Sequence, residues 1–478
     1  IKVFGSFQHS LSQSDADADA MSLKWVVLAI ALISGVVNVL ALTSPLFMLQ
    51  VYDRVLASGS VETLVGLAIL ATGMFVIQAG LDIIRARILL RIGEAFDASL
   101  SKRVHDAVVR LPLLGHSPRD GLQPLRDMDN VRSFLAGSGP TAFFDLPWMP
   151  LYLFICFAFH FWIGMTALVG AICLIALTLL TNLFSRKSIR EVTAQNMQRN
   201  GLLEDARRNA EITRAMGMGK RVAFRWARVN RAYLDANRKA GDVSGAFGSI
   251  SRMARLMLQS AILGVGAYLV IRQEASGGVM IASSIMMGRA LAPVDLLIAS
   301  WKPLLMARQS WARLKDLLTK IPRDSAMTPL PAPQRELRAE ALIIVPPGEK
   351  KPTVTGVQFI LGAGSALGVI GASGSGKSTL ARVLANAWVP ASGKVRLDGA
   401  SLDQWEPDRL GSHIGYLPQD VALFDGTIAE NISRFDDEAD PAALVAAAKA
   451  AGAHDMILRF DKGYETRVGE AGSALSSG

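Results

Sequence analysis

The sequence predicts two domains: an all-α membrane domain of about six spanning helices, then a soluble α/β domain. Three observations lead there. Apolar runs of spanning length fill most of residues 24–300. A proline-rich stretch, "PRDSAMTPLPAPQRELRAE", interrupts the chain at 322–340. Beyond it, short β-branched runs alternate with helical ones, and a glycine-rich loop lies between two of them. The composition agrees. Of 478 residues 51% are hydrophobic, and the mean hydropathy of +0.31 is high for an ordinary soluble protein.

Residues 1–22 are polar, with alternating Asp and Ala at 15–20, and read as a disordered lead. The first span begins after Lys24 with "WVVLAIALISGVVNVLALTSPLFMLQVY", and the second covers Thr63 to Ile84. Residues 85–140 keep helical periodicity but carry too much charge for lipid, so a helix leaves the membrane, turns near "HSPRDG" and returns. The apolar block 140–184 suits two spans with a reversal at "FHFWIG", residues 159–164. A basic helical stretch runs to Lys239, and two more spans follow at about 244–271 and 277–300. The boundaries expected are 1–22 for the lead, 23–321 for the membrane domain, 322–340 for a linker and 341–478 for the soluble domain.

Charge sets the orientation. The formal net charge is +9. The basic residues crowd 85–140 and 185–243, whereas the links at 53–62, 159–164 and 272–278 are short and nearly neutral. By the positive-inside rule the basic stretches, both ends of the membrane domain and the soluble domain lie in the cytoplasm. The spans exclude a soluble nucleic-acid ATPase, and the positive charge is topological. The two cysteines, Cys156 and Cys173, sit inside apolar runs with no metal-ligand spacing and read as packing residues. Arg85, Arg87, Arg91, Arg252, Arg255 and Arg289 lie near span ends or within a span. They suggest a basic path for acidic cargo, with Asp295 as a partner for Arg289.

The glycine-rich loop is "GASGSGKST": Gly371, Ala372, Ser373, Gly374, Ser375, Gly376, Lys377, Ser378 and Thr379. Gly371-x4-Gly376-Lys377-Ser378 fits the Walker A pattern of a P-loop, with the apolar run "LGVI" before it read as a strand and a helix after it. Glycines let backbone N–H groups face phosphates, Lys377 adds a point charge, Ser378 offers a hydroxyl to Mg²⁺, and the helix directs its positive end at the anion. Further strands are expected at "ALIIV", "VTGVQFIL", "GKVRLDG" and "IGYLPQD".

With these parts in view, the chain resembles an ATP-binding cassette exporter, an all-α six-helix transmembrane domain fused to an α/β P-loop nucleotide-binding domain. "YLPQD" resembles the Q-loop and places its glutamine at Gln419; "VGEAGSALSSG" resembles the approach to the signature motif, with Glu470 at the acidic X-loop position and Leu475, Ser476, Ser477 and Gly478 at the start of the signature. "PLFMLQVYDRVL", "DLPWMPLYLF" and "SSIMMGRALAPVD" resemble the type I secretion ATPases that export proteases and S-layer proteins. The resemblance implies a multi-pass protein of the bacterial inner membrane, working as a homodimer with ATP and Mg²⁺. It implies a periplasmic membrane-fusion adaptor, an outer-membrane channel and a secreted, unfolded protein cargo. Lys377 and Gln419 would be catalytic, Ser378 and Gln419 would serve the metal, and Ser476 and Gly478 would cap the nucleotide from the partner copy. Turns near 117–126 and 208–218 would couple the two domains. An exporter of lipid, drug or peptide, or a nucleotide-gated channel or receptor, would share the architecture.

Departures from the pattern accompany the resemblance. "IIVPPGEK" lacks the family's adenine-stacking aromatic and leaves only Val345 or Pro346 for apolar contact. Ser477 stands where the signature has its first glycine, and the sequence stops inside the motif and reads as truncated there. No Walker B carboxylate precedes Gly478, so a polypeptide of these residues alone is expected to bind nucleotide without turning it over.

Overall fold

The structure, a computed structural model, describes residues 16–115, 121–321, 330–419 and 423–469. The "HSPRDG" turn up to Asp120, residues 322–329 of the proline-rich stretch, Glu470 and the signature residues through Gly478 lie outside the described residues. The chain divides into two compact units, residues 1–324 and 325–478.

Among the described residues of the first unit, six helical segments are long and apolar enough to cross a membrane. Helix α1 (Ala16–Leu40) and α2 (Thr43–Gln50) form the first. Residues 16–22, in the stretch expected to be disordered, are helical; alanine, which recurs there, is the best helix former. A single π turn, Val51–Val55, follows α2. Helices α3 (Val61–Arg110), α4 (Gln123–Ala136), α5 (Gly139–Asp145) and α6 (Met149–Phe159) come next, then α7 (Phe161–Arg208), α8 (Gly219–Ile271), α9 (Gly277–Ala299) and α10 (Trp301–Lys320).

The long helices α3, α7 and α8 each change from apolar to basic along their length, so each is both a span and an extension beyond it. The spans pack through Tyr152, Ile163, Leu174, Ile262, Met286 and Leu291, with Ala167 and Ala171 allowing close approach. The extensions hold a second core: Phe96, Leu100, Val104 and Ala107 of α3 recur at helical spacing and meet Met128, Val131 and Leu135 of α4 and Trp311, Leu314 and Leu318 of α10. Asp127, buried within it, accepts from Ser310 Oγ at 2.8 Å and Arg313 Nε at 2.8 Å, locking α4 to α10.

Polar contacts tie the three short reversals together. Asp53, in the π turn, accepts from Ser276 Oγ at 2.6 Å and from the Gly278 amide at 2.9 Å. His160 Nε2 lies 3.6 Å from Glu274. The links at 53–62, 159–164 and 272–278 therefore share one end of the bundle. Between the ends, Arg85 Nη1 reaches Asp145 at 2.9 Å and Ser34 at 3.2 Å, and Arg85 Nη2 reaches Asp82 at 2.8 Å. Asn38 donates to Asp145 at 2.9 Å, and Tyr152 Oη donates to Asn38. Two expectations are corrected here. Arg85 is neutralised within the bundle, and the partner of Asp295 is Arg255, at 2.5 Å across two helices. Arg289 lies six residues from Asp295 on the same helix, a spacing that puts the two on different faces.

In the second unit, strands β1 (Glu336–Ile344), β2 (Val354–Gly362), β3 (Ser392–Leu397) and β4 (Ala400–Ser401) form an antiparallel sheet in the order β2-β1-β3-β4. Ala339 faces Phe359 on one side and Val395 on the other. Strand β1 begins at Glu336, within the stretch read as linker: Glu336, Arg338 and Glu340 alternate with Leu337 and Ala339 at strand period, and Arg396 pairs with Glu340 at 3.0 Å. The strands expected at "SALGVIG" and "IGYLPQD" do not form among the described residues. An apolar run becomes a central strand only with neighbours to bond its backbone, and no described strand pairs with either segment. Ile370 is accordingly 96% exposed and Leu417 81%.

Candidate nucleotide site

The site is built on the helix that follows the glycine-rich loop. Helix α11 (Lys377–Leu384) anchors through Leu380 and Val383, which reach the apolar cluster of β1 and β3. That anchorage fixes the helix start, where the first N–H groups lack carbonyl partners within the helix and remain available to an anion. Arg382 stacks over Trp388, its guanidinium 4.8 Å from the ring centroid, and steadies the other end.

The loop itself is shaped by two glycines. Gly376 has φ +92, and a Cβ there would lie 2.6 Å from Val354 Cγ2. Gly371 has φ +156, and a Cβ there would lie 2.9 Å from Ser375 Oγ. Side chains at either position would strain the backbone and crowd the loop. Between them Ala372, Ser373, Gly374 and Ser375 form an exposed turn, closed by a hydrogen bond from the Ser375 amide to the Ala372 carbonyl at 3.2 Å. Lys377 folds back over it, donating to the carbonyls of Gly371 at 2.8 Å and Ala372 at 2.7 Å. The ammonium is thus held across the loop by neutral oxygens alone. Ser378 is exposed beside it, and Thr379 is buried under the helix.

A phosphate chain suits these residues: an exposed loop, a helix N-terminus and an ammonium with no carboxylate partner among the described residues. For Mg²⁺ the candidate donors are hard oxygens, the Ser378 hydroxyl and the Gln419 amide, which would complete a shell with phosphate oxygens and water. Among the described residues no group of three or more His, Cys, Asp or Glu could hold a metal without such a ligand. Gln419 is exposed, on the segment left without a strand partner. The segment 411–414 is held by Arg434, which donates to the carbonyls of Gly411 at 2.7 Å and Ile414 at 3.4 Å. Sequence reasoning missed Arg434, because a lone arginine in a turn carries no motif. Its φ of +59 is the one unusual feature, and only the backbone reveals it. Val345 and Pro346 are half-buried at the end of β1. Ser476 and Gly478 lie outside the described residues.

Comparison with known proteins places this geometry. Residues 26–292 match the ABC transporter transmembrane region and residues 354–478 the ABC transporter domain. The type I secretion system ATP-binding protein PrsD of Rhizobium meliloti (strain 1021) is 47% identical over 465 residues, covering 97% of this chain and 80% of that protein. The cyclolysin secretion/processing ATP-binding protein CyaB of Bordetella pertussis (strain Tohama I) is 26% identical over 94% of this chain and 64% of its own length. Among solved structures, a bacterial Atm1-family ABC exporter with ATP bound superposes with a TM-score of 0.76 over 95% of this chain and 82% of that one, at 21% identity, which is a likeness of fold. Six spans, a phosphate loop of the right composition and identity to PrsD running through both lead to one conclusion: this chain belongs to the ABC transporters, among the type I secretion exporters.

Proposed function

We propose that this chain is the inner-membrane permease and ATPase that drives an unfolded protein out of the cell in a type I secretion system. Residues 23–321 supply the path and 341–478 the nucleotide-driven engine. Two copies work together, with Ser476 and Gly478 of each meeting the phosphate loop of the other. A membrane-fusion adaptor and an outer-membrane channel carry the cargo onward. The reading rests on one observation above all: identity to PrsD extends through the spans and the phosphate loop together.

Within the site, Lys377 holds the phosphates, the first amides of α11 orient them, and Ser378 and Gln419 hold the metal. Mg²⁺, when bound, neutralises charge on the transferring phosphoryl group. A polypeptide ending at Gly478 is expected to bind nucleotide without turnover, because Ser378 and Gln419 supply only part of what the attacking water needs.

Lys377→Ala tests the reading. The phosphates lose a charge-assisted contact, so ATP affinity should fall roughly ten- to a hundredfold and export should stop. ATP affinity unchanged by the substitution would overturn the assignment.

A further inference from the structure

Where α7, α8 and the α9–α10 junction meet, they line a cavity of about 500 Å³. Its lining is polar and partly unsatisfied. Ser185 and Ser251 are each 4% exposed, and neither hydroxyl has a hydrogen-bond partner; the Trp301 indole N–H, which also lines it, has none either. Asp295 is taken by Arg255. Arg252 and Lys302, both exposed, also line it and have no ion pair among the described residues. A buried hydroxyl without a partner is unfavourable, and these two share a roomy cavity with the two cations. Hydroxyl and indole donors beside two cations suit an anion rich in acceptor oxygens.

The level of the cavity along the helices identifies the source of that anion. On α7 the apolar run ends at Phe184, Ser185 faces the cavity, and Arg186 and Lys187 follow. On α8 Arg252 and Arg255 precede the apolar run that begins at Leu256. On the third wall the apolar helix α9 ends at Ala299, and Trp301 and Lys302 follow. All three walls change from lipid-compatible to charged at the cavity, and an indole sits there, as at a headgroup layer. Leu183, Phe184, Met253 and Met257, within a turn of the cavity residues, are exposed apolar side chains suited to acyl tails. The positive-inside argument puts this layer in the cytoplasmic leaflet.

We infer that this cavity is a binding site for the phosphate of an anionic glycerophospholipid, such as phosphatidylglycerol, from the inner leaflet. The Ser185 and Ser251 hydroxyls and the Trp301 N–H donate to phosphate and glycerol oxygens, and Arg252 and Lys302 balance the charge. A zwitterionic headgroup fits poorly, because its amine would face those two cations while the lining carboxylate is already engaged by Arg255. The site goes beyond ATP-driven export and stands whether or not the cargo is a protein.

The test is native mass spectrometry of the detergent-solubilised protein with phosphatidylglycerol or phosphatidylcholine. Phosphatidylglycerol should be retained preferentially. Each cation near the membrane surface contributes about fivefold, so Arg252→Gln with Lys302→Gln should reduce retention roughly 25-fold. Both side chains are exposed, so folding should survive, and Arg228→Gln on a distant basic stretch should change nothing. Ser251→Leu, which replaces a hydroxyl donor by an apolar side chain in the lining, should also weaken the preference. Equal retention of both lipids, or a preference that survives the double substitution, would overturn the proposal. Displacement of the lipid by millimolar glycerol phosphate would overturn it in favour of a soluble phosphate, and displacement by an aspartate-rich peptide would assign the cavity to cargo. A Lys377→Ala protein should bind the lipid normally, which separates this site from the nucleotide reading.

Discussion

Two aspartates show how single carboxylates organise this chain. Asp127 is 2% exposed and gathers Gln123, Ser310 and Arg313 between two amphipathic helices. Asp127→Ala would leave Arg313 without its counter-charge and should destabilise the membrane unit by about 3 kcal/mol, the low end for breaking a buried pair because Arg313 keeps some solvent access. Asp127→Asn, which keeps an acceptor, should lose less. Thermal unfolding in detergent measures both. Asp398 acts in water instead. Its carboxylate accepts from the backbone amides of Gln334, Arg335 and Glu336, and those to Gln334 and Glu336 chiefly hold its pKa below the ordinary 3.8. A lowered folded pKa means stability that is present above pH 3.8 and lost as pH falls through the folded value. Asp398→Asn should therefore be less stable than the parent near neutral pH, and the two should converge in acid. A difference that persists at the lowest pH would remove the charge from the explanation.

Elements became legible in the sequence to the extent that their partners are near in the chain or uniform in chemistry. The six spans follow from run length alone, since lipid imposes one rule on every backbone group. The phosphate loop is legible because Gly371, Gly376, Lys377 and Ser378 lie within eight consecutive residues. The Arg255–Asp295 pair is not, because it joins two helices whose facing sides no spacing rule fixes. The π turn at Val51–Val55 had no local signal either. Its Asp53 is explained by Ser276 and Gly278, more than two hundred residues later. Composition suggests strands for the apolar runs before the loop and at Gln419, but strand formation depends on a neighbour that composition does not name. The loop also makes the element-scale prediction. Gly376→Ala combines a strained φ with a 2.6 Å approach to Val354, so the start of α11 must shift. ATP affinity should fall at least about tenfold, while the melting temperature changes by only a few degrees. Val354→Ala in the same background should restore part of the affinity by opening space, though not the cost of positive φ.

For the whole molecule, orientation follows from two independent lines that meet. Charge places the extensions of α3, α7 and α8 in the cytoplasm. Side-chain contacts place all three short reversals at one end: Asp53 bonds Ser276, and His160 lies beside Glu274. Helices that reverse together at one end must leave their basic extensions at the other. Ser58 is exposed at the first reversal, and Ser188 is half-exposed on α7 just past its apolar run. A membrane-impermeant maleimide should therefore label Ser58→Cys in cells whose inner membrane is intact, and should label Ser188→Cys only in inverted vesicles. The native cysteines leave a clean background: Cys156 is buried, and Cys173, though exposed on its helix, lies within the apolar run of α7, where an impermeant reagent does not reach. Labelling of both variants from the same side would mean an even number of crossings between them, where the six spans require three. It would break the three-hairpin arrangement, and with it the placement of the lipid cavity in the inner leaflet and of the phosphate loop beside cytoplasmic ATP.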